Sequence, residues 1–351
     1  MKHVLVAAVV AAALAVPGVA AAQGTVTITL TQDGQDLANA LGISVTQLQQ
    51  DTEDAIAEAY DVNRVDDFLR AFADATSFSN RGIGVDYAAN ADGLMLGVSG
   101  NVAVAVGDLG QDEAGADHPV AGVAPNLALM GGLNFSRWDL PQLTIYGNAF
   151  YRSGSLDKLT GSITSVGAHA QYKFFSPTRG KKALVLQWGG FDVTAGVEMS
   201  RWAFSLDSGD ALETGFTLDG TSGSSDVTLA AQGTFALSTT AVVVPLEATT
   251  SLRLLYFLSV YAGGGIDVQL GKASLDADLD GTMTAIRPSD GAEVNMGTAQ
   301  VQVTGEHGPS TGEGRVLAGV QANFWKLKTF VQLNFMPVRS ASVAFGLRLV
   351  L

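Results

Sequence analysis

The chain has 351 residues, 34 acidic against 20 basic, giving a net charge of −14 with only 15% charged residues. That balance excludes a nucleic-acid-binding face, which needs a basic surface, and lies well below the roughly 25% charged content of soluble domains. With no cysteine, the chain can form no disulfide, carry no lipoprotein anchor and use no thiol nucleophile.

Met1-Lys2-His3 is a short basic start, and Val4 to Val16 is an apolar run that Pro17-Gly18 breaks. Ala20-Ala21-Ala22 offers a small-residue cleavage site with Gln23 as the first mature residue. Residues 1–22 read as a secretory signal peptide, too short and wrongly flanked for a spanning helix. Residues 23–91 read as an N-terminal helical plug or periplasmic segment. Within it, Thr25 to Thr31 alternates and can add an accessory strand. Ser44 with Gln47 forms a capping-box pattern that opens a helix running to about Tyr60. Asn63 can cap a second helix, with Val65, Phe68, Leu69 and Phe72 at i, i+3, i+4 and i+7. The opposite faces carry Asp51, Glu53, Asp54, Glu58, Asp66, Asp67 and Asp74. Helices with one apolar side must bury it, and the expected place is the periplasmic mouth of a barrel, with partial insertion.

From residue 92 onward the pattern changes to a period of two, the mark of strands with one apolar face. Candidate strands fall near 93–107, 121–136, 142–153, 160–176, 182–206, 227–254, 260–284, 313–325, 328–337 and 341–351. The last hairpin is the clearest. Val331, Leu333 and Phe335 alternate with Gln332 and Asn334, and after the Pro337 turn Val343, Phe345, Leu347 and Leu349 alternate with small residues and Arg348. The polar faces are mostly Gly, Ser, Thr, Gln and Asn, which suits a crowded interior better than a solvated exterior. The fold expected is all-β: a transmembrane antiparallel up-and-down β-barrel of about ten strands, with twelve to fourteen as the alternative, in the bacterial outer membrane. Short connections carrying Trp138, Tyr256, Phe257 and Trp325 would form an inner aromatic girdle. Longer acidic connections, 108–119, 153–158, 207–226 and 276–314, would lie outside. Val294 to Thr304 is a further alternating run placed in that last loop. In 227–254 the apolar phase is odd at Val227, Leu229, Phe235 and Leu237 but even at Val242, Val244, Leu246 and Leu252. A bulge or kink near 241–245 would explain the slip, and a tight turn there would raise the strand count to twelve.

Between the helices and the first strand lies Ser79-Asn80-Arg81-Gly82-Ile83-Gly84-Val85-Asp86-Tyr87-Ala88-Ala89-Asn90-Ala91-Asp92-Gly93. A helical segment followed by this glycine-rich stretch and an Ala/Asp turn resembles the hatch-then-barrel plan of the FadL-type hydrophobic-compound transporters. The family's Asn-Pro-Ala segment is absent and the barrel is shorter than theirs. The resemblance implies passage of hydrophobic solutes and carries over no binding residue.

The same alternation assigns faces. Phe191, Val193, Ala195, Val197 and Met199 meet lipid, as do Val166, Ala168, Ala170, Tyr172 and Phe174. Lumen-facing candidates are Arg152, His169, Lys173, Asp192, Glu198, Glu247, Arg253, Asp267 and Arg348, since a charge facing mid-bilayer costs a few kcal/mol. Mixed signs suggest pairing across the lumen or contacts to a solute. Asp276, Asp278 and Asp280 match the opening of a calcium loop, but the closing Glu is replaced by Arg287. They could hold Ca²⁺ weakly or bridge to lipopolysaccharide; no other cofactor is indicated. The acid–His dipeptides Asp117-His118 and Glu306-His307 could activate a water only if their loops met, and no nucleophile or metalloprotease motif is present. No enzyme is expected. The functional expectation is a passive channel or transporter for small solutes, hydrophobic ones included. The alternative is a non-transporting surface barrel, adhesin or structural envelope protein, acting through acidic outer loops. The partners expected are membrane lipid, lipopolysaccharide, the barrel-assembly machinery and small solutes.

Overall fold

In the computed structural model, residues 23–59, 64–88, 93–106, 121–175, 185–255, 257–337 and 339–351 are described. The signal peptide, Asn63, Tyr60, Tyr256, the 108–119 connection with His118, and the Ala89–Asp92 part of the resemblance fall outside them. The N-terminal elements are β1 (Gln23–Leu30), α1 (Gln32–Leu41), α2 (Val45–Ala59) and α3 (Val65–Phe78). Eleven strands follow: β2 (Leu94–Val106), β3 (Ala121–Phe135), β4 (Leu140–Leu156), β5 (Leu159–Phe175), β6 (Leu186–Gly220), β7 (Gly223–Leu254), β8 (Leu258–Ile286), β9 (Glu293–His307), β10 (Gly312–Phe324), β11 (Leu327–Met336) and β12 (Ser340–Val350).

Ten of these strands close a ring. β2 through β8 pair in sequence, β8 pairs with β10, and β10, β11 and β12 lead back to β2, every pair antiparallel. Following the register from Leu129 one way round reaches Leu258 of β8, and the other way reaches Leu270 of the same strand. That stagger of twelve residues is the tilt a closed ring requires. The outer wall is apolar. Val98, Leu127, Leu129, Val166, Val197, Leu246, Ile266, Val316, Leu333 and Phe345 are all exposed. Asn, Gln, Ser, Thr and charged side chains are buried inside it. Trp138, Phe257 and Trp325 are exposed at the end where β2 begins and β12 finishes, here the near end.

At the far end β6, β7 and β8 run on beyond the ring, roughly 50 Å of strand at about 3.3 Å per residue. The expected outer loops at 207–226 and 276–314 are therefore mostly strand. β8 exchanges partners along its length: Leu258 to Val268 pairs with β10, and Ala273 to Ile286 pairs with β9. Val294 to Thr304, expected in a loop, lies within β9, and β1 adds to its other edge, Gln23 opposite Thr304 and Leu30 opposite Gly297. α2 contacts both β1 and β6, the two edges of this five-stranded sheet. Its far module thus has an apolar core of Leu37, Leu41, Leu48, Ile56, Leu229, Met283, Met296 and Val301.

The phase slip in β7 has a different cause from the bulge expected. β7 pairs with β8 without a register shift from Val227 to Leu254. Odd-numbered residues such as Val227, Leu229, Ala241, Glu247 and Thr249 are buried on one face throughout. What inverts is the polarity of each face. Along the outer face, Leu246 and Val242 give way to Thr240 and Ser238; on β8, Leu270 gives way to Lys272; on β6, Met199 gives way to Arg201. These changes fall at paired positions, Met199 with Val242 and Val242 with Leu270. Below them lipid touches the outer face, so apolar residues face out. Above them water does, so apolar residues face in. The inversion marks where three strands leave the bilayer.

The helices start where local chemistry dictates. Ser44 caps α2, accepting from Gln47 N at 3.0 Å, while the Gln47 side chain donates to Asp51 Oδ1 at 2.6 Å rather than closing the box. α1, unforeseen in the sequence, is capped by Thr31, whose Oγ1 accepts from Gly34 N at 3.2 Å. Gly34 weakens the helical signal but is required: a Cβ there would stand 2.2 Å from Met296 O. α1 and α2, the latter one of the two helices expected, pack against β9, β1 and β6 at the far end.

Candidate functional site: the filled lumen

α3 joins the far module to the ring. Phe72 meets Trp202 edge-on with centroids 6.3 Å apart, and Phe68 stacks on Phe72. Gly122 lets the helix lie against β3, since a Cβ would fall 2.3 Å from Ala71 O. At the rim, Asp74 accepts from Ser310 N at 2.7 Å and Ser310 Oγ at 3.1 Å. Arg339 in turn donates to Ser310 Oγ and pairs with Glu313 at 3.0 Å. Burial raises the Asp74 carboxyl above its ordinary range, opposed by those Ser310 hydrogen bonds.

Every residue from Ala71 to Ala88 is buried, and the chain descends the lumen through polar contacts. Ser200 Oγ donates to Thr76 O at 3.4 Å. Asn80 Oδ1 accepts from Asn126 Nδ2 at 2.6 Å and Ser165 Oγ at 3.0 Å. Asn101 Nδ2 donates to Arg81 O at 2.5 Å. The Arg81 guanidinium lies 2.5 Å from Glu198 and 3.5 Å from Asp267. Around it, His169 Nε2 stands 3.4 Å from Glu198, and Arg315 pairs with Asp267 at 2.8 Å and with Glu247. Lower down, Asp86 pairs with Lys328 at 3.0 Å and Arg348 at 3.4 Å. Arg348 also donates to Val85 O at 2.5 Å and Gln321 at 3.0 Å, and lies over the Phe330 ring. Ser251 Oγ closes the descent on Ala88 O at 3.1 Å.

The lumen is therefore polarised. Acidic side chains of β6 and β8 meet Arg81, the β7 acid Glu247 meets Arg315, and basic side chains of β11 and β12 meet Asp86. Charges in a water-poor interior are tolerable only when paired and hydrogen-bonded. Each of the two wall clusters completes its pairing on a side chain of the N-terminal segment.

Of the lumen candidates, His169, Asp192, Glu198, Glu247, Asp267 and Arg348 are buried inside the ring. Lys173 is mostly buried, 3.8 Å from Asp192, and Arg253 is half-buried near the near end. Arg152 keeps the inward parity but is exposed, because β4 there has risen towards its far tip. Sequence reasoning missed Arg315 and Lys328 as wall residues and gave Arg81 and Asp86 no role. Arg315 shares parity with Gln321 and was readable. The roles of Arg81 and Asp86 depend on a long-range placement that no local pattern encodes. Asp276, Asp278 and Asp280 alternate along the exposed face of β8, where Asp278 accepts from Gln300 and Gln302 at 3.4 and 3.5 Å. Among the described residues no three metal-type side chains converge. Glu306 is held by Lys272 at 2.6 Å, and His307 Nδ1 lies 2.6 Å from Gly308 O.

A closed antiparallel ring, apolar outside and polar inside, defines a bacterial outer-membrane β-barrel, here filled by the chain's own N-terminal segment. More particularly, the chain belongs to the Lsa36-like family, whose profile matches residues 20–351. No curated protein matches it. Solved structures with some likeness include the outer membrane protease OmpT of Escherichia coli, at 11% identity and TM-score 0.34 over 75% of this chain and 98% of that one. The attachment invasion locus protein Ail of Yersinia pestis, with a heparin analogue bound, gives 10%, 0.25, 73% and 99% on the same measures. The toluene transporter TbuX of Ralstonia pickettii gives 9%, 0.25, 80% and 99%. Likeness at this level assigns neither activity nor ligand.

Proposed function

We propose that the protein is a closed surface barrel that works by binding through its far module, not as a standing channel. One observation carries this reading: Glu198, Asp267, Lys328 and Arg348, wall charges that a channel would offer to solutes, pair instead with Arg81 and Asp86 of the same chain. The near end, with short connections at Ser136–Trp138, 255–257 and 325–326, is taken as periplasmic, and the far end as external. Residues 23–59, 207–226 and 272–306 hold 17 acidic and two basic residues, a net charge of −15. With the whole chain at −14, the remainder is close to neutral. The barrel thus presents nearly all of its net charge on one module, which suits a basic partner surface and predicts salt-sensitive capture.

Two measurements test this reading. Reconstituted in planar bilayers, the full chain is expected to show no steady conductance, and steady channels in the wild type would overturn the closed-barrel reading. Proteoliposomes are expected to bind a poly-lysine surface, with binding weakened by salt and by replacing Asp276, Asp278 and Asp280 with Asn. Unchanged binding after that replacement would count against the far module as the binding face. A passive channel for small solutes is the second reading, favoured by the polar lumen wall; it requires a variant lacking residues 24–80 to conduct where the wild type does so only on stimulation.

A further inference from the structure

We infer that the barrel carries its own N-terminal module outward through its lumen, so that residues 23–59 stand on the outer face while both ends of the strand ring stay on the periplasmic side. The inference rests on the far end being external, as proposed above, and adds a route.

The path is fixed by hydrogen bonds at both ends. β1 pairs with the part of β9 that itself pairs with Asp276 to Met283 of β8, beyond the polarity inversion at Leu270. β2 starts at the opposite end, where Asn134 N donates to Gly93 O at 3.0 Å and Leu351 N donates to Leu94 O at 2.8 Å. Between Leu30 and Leu94 the chain must therefore cross the full height of the ring. It does so inside: Asp74 at the rim on Ser310, then Thr76 on Ser200, Asn80 on Ser165, Asp86 on Lys328, and Ala88 on Ser251.

A module of one strand and two helices cannot pass, folded, through a lumen that one segment already fills. Residues 23–59 therefore go through unfolded and fold afterwards, β1 adding to the free edge of β9 as the last pairing made. Their composition suits such passage, since the segment holds no aromatic, no proline and no basic residue. Residues 65–88 then remain behind as the seal.

Because the chain has no cysteine, single-cysteine variants report accessibility cleanly. Thr27→Cys (β1), Ser224→Cys (far tip of β7) and Arg137→Cys (near-end turn) all replace exposed residues. Each is treated with a membrane-impermeant maleimide on intact cells and after permeabilisation, with ring folding checked by heat-modifiable gel mobility. The expected result is labelling of Thr27→Cys and Ser224→Cys on intact cells and of Arg137→Cys only after permeabilisation. Labelling of Ser224→Cys with protection of Thr27→Cys would sink the route while leaving the external far end intact. Labelling of Arg137→Cys alone would sink both. Should Thr27→Cys not fold, Thr29→Cys on the same exposed face replaces it. Oxidation of Thr27→Cys/Gln300→Cys, which are register partners, is expected to yield a cross-link only at times after synthesis when the single Thr27→Cys variant, followed in parallel, has become reactive to the maleimide. A cross-link formed while the single variant is still shielded from the maleimide would count against the order of events.

Discussion

The two halves of β7 obey opposite rules. From Val242 to Leu254 the strand turns leucine and valine towards lipid and keeps Glu247, Thr249 and Ser251 inside. From Val227 to Leu237 it turns Thr228, Gln232 and Thr234 to water and buries Val227, Leu229 and Leu237. The register with β8 and the parity are continuous; a shift in the pairing with β6 falls between Ser208 and Leu212. The solvent on one side changes, and with it every preference for side-chain type. The membrane half is held by a polar interior and an apolar surround, while the far module is held by an ordinary hydrophobic core. A substitution should therefore be judged by which half it falls in.

The largest expected effect is Arg81→Ala, which strands Glu198 and Asp267 inside the ring without their partner from the segment. Losing one partner of a buried pair costs about 3–5 kcal/mol. The lumen segment should become protease-sensitive and the barrel leaky in bilayers; an unchanged, non-conducting barrel would contradict the sealing role of this pair. Next comes Leu229→Asp, which buries an unpaired charge in the far core at a cost of at least several kcal/mol. It should melt residues 23–59 while the ring keeps its heat-modifiable mobility. Leu246→Lys tests the other half: a basic side chain on the lipid face costs about 2–4 kcal/mol at mid-bilayer and less towards the interface. Folding yield into vesicles should fall while far-module protease resistance in the folded fraction is kept. Asp74→Asn weakens the rim contact to Ser310 by about 1–2 kcal/mol, read as faster hydrogen exchange in α3. The smallest effect belongs to Thr228→Asp, outward and wet, expected within about 0.5 kcal/mol. A large loss there would remove the polarity boundary itself.

The ring was legible because lipid-facing alternation is strict where strands are short. The last hairpin, read as 328–337 and 341–351, is observed at Leu327–Met336 and Ser340–Val350. The upper strands were harder, since alternation alone does not say which face is wet. At Leu246 apolar means outside, and at Leu229 it means inside. α1 was hidden by Gly34, whose poor helix propensity serves a close contact 262 positions away in the sequence, at Met296. The end at which α1 and α2 dock was also not readable, because an amphipathic stripe says that a side is buried and not against what. The lumen residues followed from parity; their partners Arg81 and Asp86 sit in an irregular stretch with no period to read.

The filling of this barrel is a captive piece of chain. Below, it continues into β2 and is anchored in the wall; above, it continues into helices folded on strands much broader than the bore. Neither side offers an exit for an intact molecule, so the ring can be emptied only by first dismantling the knob at its far end. Withdrawal of the intact filling is thereby tied to the melting of a domain that lies outside the ring.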